Sequence, residues 1–201
     1  MKNLPTITKN LLIINGLIFM AELALPKAFP ALHLESEMAL YFVGSPWFRL
    51  YQPVTYMFAH ASIDHIFFNM FALWMFGRIL ENVWGPKRFL TYYMACGLGA
   101  AAMQELLQFA GVIPVEQSVI GASGAVYGLL LAFGVLFPNM EMYIIPFPFP
   151  IKAKWMVIGY TVIELLEGIF SFGNVAHFAH LGGMVFGFLL ILYWRKHGKS
   201  Y

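Results

Sequence analysis

The chain has 201 residues, of which 11% are charged and 60% belong to the hydrophobic set AVILMFWYC. Soluble domains carry about 25% charged residues, and a soluble fold of this size still leaves about a quarter to a third of its chain surface in water. The composition therefore excludes a soluble enzyme, a nucleic-acid-binding protein and a disordered chain. It indicates a protein whose solvent is the lipid bilayer.

Apolar residues occur in continuous runs, which are typical of transmembrane helices and not of the alternating strands of a membrane barrel. We predict an all-α fold in one domain, 1–201, because six spans of about 20 residues use roughly 120 residues and leave room for connections. The predicted spans are about 10–25, 63–80, 89–110, 121–137, 153–170 and 177–194. The long aromatic connection between the first two spans predicts a loop that lies in the membrane interface.

The basic residues test the number of spans. With six spans, both termini and the connections after the second and fourth spans lie on one side, which collects ten of the 12 Lys and Arg residues. Because cytoplasmic loops carry the excess of Lys and Arg, we expect both termini to be cytoplasmic. Since the sequence shows no transit segment and no large soluble domain, we expect an integral multi-pass protein of the bacterial inner membrane, and its oligomeric state is left open.

Three clusters of polar residues interrupt the predicted spans, and polar groups inside a membrane indicate function by default. In the six-span topology the clusters lie near the outer ends of their helices and converge in one layer. They are, in chain order, His65 with Asn69 in the second span, Ser123 with Tyr127 in the fourth, and His177 with His180 in the sixth.

Small residues predict close contact between the fourth and sixth spans. They lie at four-residue spacing, as Gly124 and Gly128 in the fourth span and Gly183 and Gly187 in the sixth. Ser123 alone is typical of a packing residue, but this contact brings it within reach of His177 or His180. A serine beside a histidine is an activated nucleophile, because the imidazole takes the hydroxyl proton and returns it to the leaving amine.

The acidic residues favour a dyad over a triad. Asp64 is the one Asp in the chain and, as the neighbour of His65, points to another helix face, while the Glu residues are not adjacent to the clusters in sequence. Tyr127 is expected to pack against the imidazole. His65, Asn69 and the backbone N–H of Ser123 are expected to donate to the developing oxyanion.

Zinc is the competing chemistry at these positions, because imidazoles are common zinc ligands. The four candidate ligands are His60, His65, His177 and His180. Neither a His-Glu-x-x-His motif nor an acid at ligand spacing accompanies them. We therefore expect neither a metal nor another cofactor.

Together these motifs resemble the rhomboid family of intramembrane serine proteases, over nearly the whole chain. The matching stretches are Gly121-Ala-Ser123-Gly124 with Tyr127, His65-x-x-x-Asn69, and Ala179-His180-Leu-Gly-Gly183. The resemblance implies a six-helix bundle in which Ser123 is the nucleophile and His180, not His177, is the base. It also places His65, Asn69 and the Ser123 backbone at the oxyanion, and Tyr127 against His180.

The resemblance further implies that the substrates are single-span membrane proteins, cleaved near the outer interface of the bilayer. The fifth span is hypothesised to be a lateral gate. One departure is that the Trp-Arg pair often found before the second span of the family reads Tyr51-Gln52 here. Two other hypotheses are a catalytically silent rhomboid-like protein that binds membrane clients and a small transporter that uses buried His residues for protons.

Overall fold

The computed structural model describes residues 4–143, 149–170 and 176–198. Helices make up most of these ranges, and a 3₁₀ turn (Tyr56–Phe58) and a π-helical turn (Leu73–Gly77) occur among them. The α-helices are, in chain order, α1 (Thr6–Ala28), α2 (Leu34–Met38), α3 (Gln52–Thr55), α4 (Ile63–Ala72), α5 (Arg78–Trp84), α6 (Pro86–Phe109), α7 (Ser123–Leu136), α8 (Ala153–Phe170) and α9 (His177–Lys196).

A helix occupies each region predicted as a span. Within the described residues, three helices have both the length and the hydropathy of a membrane crossing: Thr6–Ala28, Ile63–Trp84 and His177–Lys196. The helix Ile63–Trp84 combines α4, the π-helical turn and α5. The protein is therefore a helical membrane protein, and the number of spans stays a prediction.

Helix α7 is shorter than the predicted fourth span. It is apolar but has 14 residues, which gives a length of about 21 Å, against about 30 Å for the hydrocarbon core. Its first residue is Ser123 rather than residue 121, because Gly121 has a positive φ of 118° that does not fit a right-handed helix. The chain before α7 is held instead by a backbone hydrogen bond from Gly121 N to Tyr56 O, at 2.8 Å.

Helices α6, α7 and α9 pack at the centre of the fold through small residues. A Cβ on Gly183 of α9 would overlap the carbonyl oxygen of Gly124 in α7, and a Cβ on Gly128 would overlap Cys96 of α6. The backbones of α7 and α9 are therefore too close at Gly183 to admit a side chain. This contact fixes the distance between the first turns of the two helices.

The first helix is attached to the bundle at its N-terminus. The buried carboxylate of Glu81 accepts hydrogen bonds from the backbone N–H groups of Ile7 and Thr8, at 2.9 and 2.7 Å, and from the Thr8 hydroxyl, at 2.8 Å. The first N–H groups of a helix have no partner within the helix and carry a partial positive charge. The Glu81 carboxylate accepts from these N–H groups, and its negative charge is favourable beside their partial positive charge.

Gln52 organises the loop between α1 and α4. Its side chain is 1% exposed, accepts from Arg49 N at 3.0 Å and donates to Trp47 O at 3.0 Å. Leu40 and Val119 exchange two backbone hydrogen bonds, at 2.9 and 3.1 Å, and so tie this loop to the segment before α7. The glutamine that departs from the family pattern thus holds the loop together.

The mostly helical fold also contains a short β-hairpin that the sequence did not predict. A short antiparallel hairpin joins α7 to α8, with β1 (Glu141–Tyr143) paired to β2 (Pro150–Lys152). Prolines are frequent in this connection, and proline removes a helical hydrogen bond and clashes with the preceding turn. The prolines thus disfavour a helix here, and the hairpin pairs the backbone of 141–143 with that of 150–152 instead.

Candidate active site

Ser123 and His180 are in direct contact. Ser123 is the first residue of α7 and His180 lies in the first turn of α9, and Oγ of Ser123 lies 2.8 Å from Nε2 of His180. His180 is buried, with 7% of its surface exposed, and Ser123 is partly buried. Gly183, three residues after His180, approaches the carbonyl of Gly124, the residue after Ser123, and this close contact holds the two first turns together.

The backbone before Ser123 requires glycine. Gly121 has a φ of 118°, and a Cβ there would lie 2.6 Å from Nε2 of His65 and 3.7 Å from Oγ of Ser123. The imidazole of His65 and the hydroxyl of Ser123 therefore both lie close to the α-carbon of Gly121. His65 is partly buried and stacks edge-on against His60, with ring centroids 5.0 Å apart.

Asn69 lies one turn below His65 on α4 and is buried. Its side-chain amide donates one hydrogen bond to the carbonyl of His65, at 3.0 Å. An amide carries two N–H donors, so this bond fixes the side chain and uses one of them. The predicted role of Asn69 at the oxyanion stays a prediction.

Tyr127 packs flat on His180, with ring centroids 4.4 Å apart and planes 10° apart. Its hydroxyl donates a short hydrogen bond to Oε1 of Glu164. The structure thus brings Tyr127, Ser123 and His180 together, and adds a carboxylate to the group.

Glu164 of α8 is the residue that sequence reasoning missed. Its carboxylate is buried and its Oε2 lies 2.9 Å from Nδ1 of His180, on the side of the ring away from Ser123. The expectation that no acid accompanies the base is therefore wrong. Glu164 is far from the polar clusters in sequence. The packing of α8 against α7 and α9 brings its carboxylate to His180. An ionisable residue inside a predicted span is itself a signal of function, and Glu164 carried that signal.

His177 contacts the carboxylate of Glu164, but it does not lie between Glu164 and Ser123. Its Nδ1 is 2.9 Å from Oε2 of Glu164 and 3.4 Å from a carboxylate oxygen of Glu167. The sequence alone left His177 and His180 as equal candidates for the partner of Ser123. It is His180 whose ring lies within hydrogen-bond distance of Ser123 Oγ.

One group of side chains has the spacing of metal ligands within the described part of the chain. The donor atoms of Glu164, His177 and His180 lie within 4.8 Å of one another and are buried. These atoms are also hydrogen-bonded to each other, which accounts for their closeness without an ion. His60 and His65, the other candidate zinc ligands, do not belong to this group.

The arrangement has the order of groups that acyl transfer by a serine uses. A hydroxyl beside an imidazole nitrogen, with a carboxylate on the other ring nitrogen, is the hydrogen-bonding order of an activated serine. An ideal Cβ on Gly121 lies close to both His65 Nε2 and Ser123 Oγ, so the His65 ring and the hydroxyl are near the same α-carbon. The fold and the site thus define a class: a helical membrane protein with a serine, a histidine and a glutamate hydrogen-bonded in series.

Comparison with known proteins gives the family. The chain matches the Rhomboid domain over residues 48–197, and it belongs to the rhomboid family. It is 31% identical over 140 residues to Rhomboid protein 1, mitochondrial, of Saccharomyces cerevisiae, an alignment that covers 69% of this chain and 40% of that protein.

Two further relatives come from a plant and a bacterium. The chain is 36% identical over 137 residues to RHOMBOID-like protein 1 of Arabidopsis thaliana, covering 68% of this chain and 32% of that protein. It is 30% identical over 147 residues to Rhomboid protease GluP of Bacillus subtilis, covering 71% and 25%. The chain thus spans less than half the length of each of these three relatives. Because relatives are mitochondrial, plant and bacterial, they do not support the bacterial inner membrane over another membrane.

Proposed function

We propose that the protein is a serine endopeptidase that hydrolyses peptide bonds in or near the transmembrane segments of single-span membrane proteins. Ser123 is the nucleophile and His180 is the general base. Three facts support this function: the chain belongs to a family that includes serine proteases of membranes, it is a helical membrane protein, and a relative of this chain is named a rhomboid protease.

The observation that carries the proposal is the 2.8 Å contact between Ser123 Oγ and His180 Nε2. His180 takes the hydroxyl proton as Oγ attacks the carbonyl carbon of the substrate. The C–N bond then breaks, the proton passes to the leaving amine, and an acyl-enzyme remains on Ser123. Water, deprotonated by His180, releases the acid in the second half of the reaction.

The oxyanion of each tetrahedral intermediate is stabilised by donors around Ser123. In the proposal these are the backbone N–H of Ser123, the ring of His65 and the second N–H of Asn69. Removal of one such donor typically lowers kcat by about 10²- to 10³-fold. The proximity of His65 to Gly121 and the fixed side chain of Asn69 support these roles.

The proposed topology has six spans with both termini in the cytoplasm, which places the site towards the outer side of the membrane. Substrate enters from the lipid past α8, the proposed lateral gate. A peptide bond inside a membrane helix is protected by its own hydrogen bonds, so cleavage is expected at small residues that let the helix unwind.

The experiment is cleavage of a model single-span substrate by the purified protein in lipid nanodiscs. The wild type is expected to cleave it, whereas S123A and H180A should each lose activity by at least about 10³-fold. A fluorophosphonate probe, which bonds covalently to an activated serine with loss of fluoride, should label the wild type and not S123A.

The matched control is S118A, which removes an exposed serine five residues before the nucleophile. S118A should cleave and label like the wild type. Full activity in S123A would exclude the proposed mechanism. A well-folded wild type that binds the substrate but neither cleaves it nor reacts with the probe would favour a client-binding protein instead.

A further inference from the structure

Glu164 has an unusual position on its helix. Among residues 158–170, the outer part of α8, it is the one buried residue, with 4% of its surface exposed. The residues around it, such as Ile163 and Leu165, are exposed apolar side chains that face the lipid. A carboxylate in such a helix is costly unless it is fully hydrogen-bonded.

Both oxygens of the Glu164 carboxylate have hydrogen-bond partners. Its Oε1 accepts from the Tyr127 hydroxyl, and its Oε2 faces Nδ1 of both His177 and His180, each at 2.9 Å. An ionised carboxylate can only accept hydrogen bonds, and the three contacts of Glu164 are all satisfied when Tyr127 and each Nδ1 donate, so the arrangement fits a charged Glu164 with a proton on each Nδ1. With its proton on Nδ1, a neutral His180 presents the lone pair of Nε2 to the hydroxyl of Ser123. This is the tautomer that a general base requires.

We propose that Glu164 is a positioning residue that completes a Ser123–His180–Glu164 triad. The inference rests on the proposed function. The carboxylate holds His180 in the reactive tautomer and orientation, and it stabilises the imidazolium that forms when Nε2 takes the serine proton. The proton on Nδ1 stays on the ring throughout, and no new bond is made to Glu164.

Helix α8 also offers a matched control. Glu167 lies one turn further along the same helix, and its carboxylate is 3.4 Å from His177, with 41% of the side chain exposed. Glu167 therefore touches the same network at its edge but not at His180. E164Q and E167Q make the same chemical change one turn apart.

The experiment compares the two variants and the wild type in nanodiscs. The fluorophosphonate endpoint counts competent active sites, and all rates are divided by it. E164Q is expected to lose about 10²- to 10⁴-fold in kcat per labelled site, because an amide can donate to Nδ1 and stabilise the wrong tautomer. Its KM should change by less than about threefold. E167Q should keep kcat within about threefold, and E164D should recover part of the loss in E164Q.

A purely structural role for Glu164 would give a different result. It would lower the number of labelled sites and the midpoint of thermal unfolding, but the rate per labelled site would stay at the wild-type value. That outcome overturns the inference, as does an equal loss of kcat in E164Q and E167Q. The proposed function has its own failure, which is a wild type that neither cleaves nor labels.

Discussion

The imidazole of His180 lies flat against the phenol ring of Tyr127, with 4.4 Å between the ring centroids. The hydroxyl of the same tyrosine donates a hydrogen bond to Oε1 of Glu164. The other oxygen of Glu164 lies 2.9 Å from Nδ1 of His180. Tyr127 therefore restricts the imidazole in two ways, by stacking on its face and by orienting its acceptor.

The two effects of Tyr127 can be separated by substitution. Y127F keeps the ring and removes the hydrogen bond, and should lower kcat by about 10- to 10²-fold, since a hydrogen bond to a charged group contributes about 1.5–3 kcal/mol. Y127L removes the stacking as well and should lose more. Steady-state cleavage measures both, and equal losses in the two variants would contradict a role for the ring.

The contact between α7 and α9 should not tolerate a methyl group at Gly183. A Cβ there meets the Gly124 carbonyl, so G183A is expected to separate the helices, lower the free energy of unfolding by about 1–3 kcal/mol and weaken the pairing of Ser123 with His180. Steric trapping or thermal unfolding gives the stability, and cleavage gives the activity. G159A is the control, because a Cβ at Gly159 has no atom within 4 Å among the described residues.

The attachment of α1 predicts a stability defect without a catalytic one. E81A leaves the N–H groups of Ile7 and Thr8 unpaired in a buried position, which should cost about 1–3 kcal/mol per unpaired group. The thermal midpoint should fall while kcat at a permissive temperature stays unchanged. E116A removes an exposed carboxylate and should alter neither. A large loss of kcat in folded E81A would show that α1 acts on the site.

The stability of the protein should fall in acid because of His60. This histidine lies before α4, outside the membrane-spanning helices, and is 1% exposed. Burial, followed by the nearby ring of His65, lowers the pKa of His60 to about 4. Its backbone N–H faces the carboxylate of Glu22 at 3.3 Å, and its Nδ1 faces Phe58 O.

The direction follows from proton binding. Between about pH 4 and 6.5, the unfolded state binds a proton at His60 and the folded state does not. Stability is therefore full above about pH 6.5 and decreases as the pH falls, by about 2 kcal/mol at pH 5. Thermal unfolding at pH 5 and pH 7 should show a smaller decrease in H60Q than in the wild type. An identical decrease in both proteins would contradict the prediction.

Removal of divalent metals should leave cleavage unchanged. The buried donors of Glu164, His177 and His180 face one another in hydrogen bonds, so the cluster is satisfied without a cation. Dialysis of the wild type against EDTA, followed by the cleavage assay, tests this. Loss of activity that added Zn²⁺ restores would assign the cluster to a metal instead.

The positions of the helices were largely predictable from the sequence, because continuous apolar runs must form helices in lipid. The start of α7 was not, since it depends on the positive φ of Gly121 and on the bond from its N–H to Tyr56 O. The hairpin between β1 and β2 was missed because its strands have three residues each, too few for a recognisable alternation.

The candidate site was predictable where residues on one helix face or in one motif define it, as for Ser123 with Tyr127. The choice of His180 over His177 came from the family resemblance, because both histidines lie in the same turn of α9. Glu164 was missed because it is distant in sequence from the motifs. Its position beside His180 depends on how α8 packs against α7 and α9. The number of membrane spans stays a prediction.

The placement of the acid on α8 has a consequence for timing. In the proposed mechanism the nucleophile lies on α7, the base on α9 and the acid on α8, whose residues 158–170 include one buried residue. A sideways displacement of α8 by a few ångströms breaks both histidine hydrogen bonds of Glu164 at once. In the proposed triad such a displacement leaves His180 without its carboxylate and Ser123 without an oriented base. Substrate entry and hydrolysis therefore occur one after the other and not at the same time. In this proposal, membrane proteins that meet the site while α8 is displaced are not cleaved.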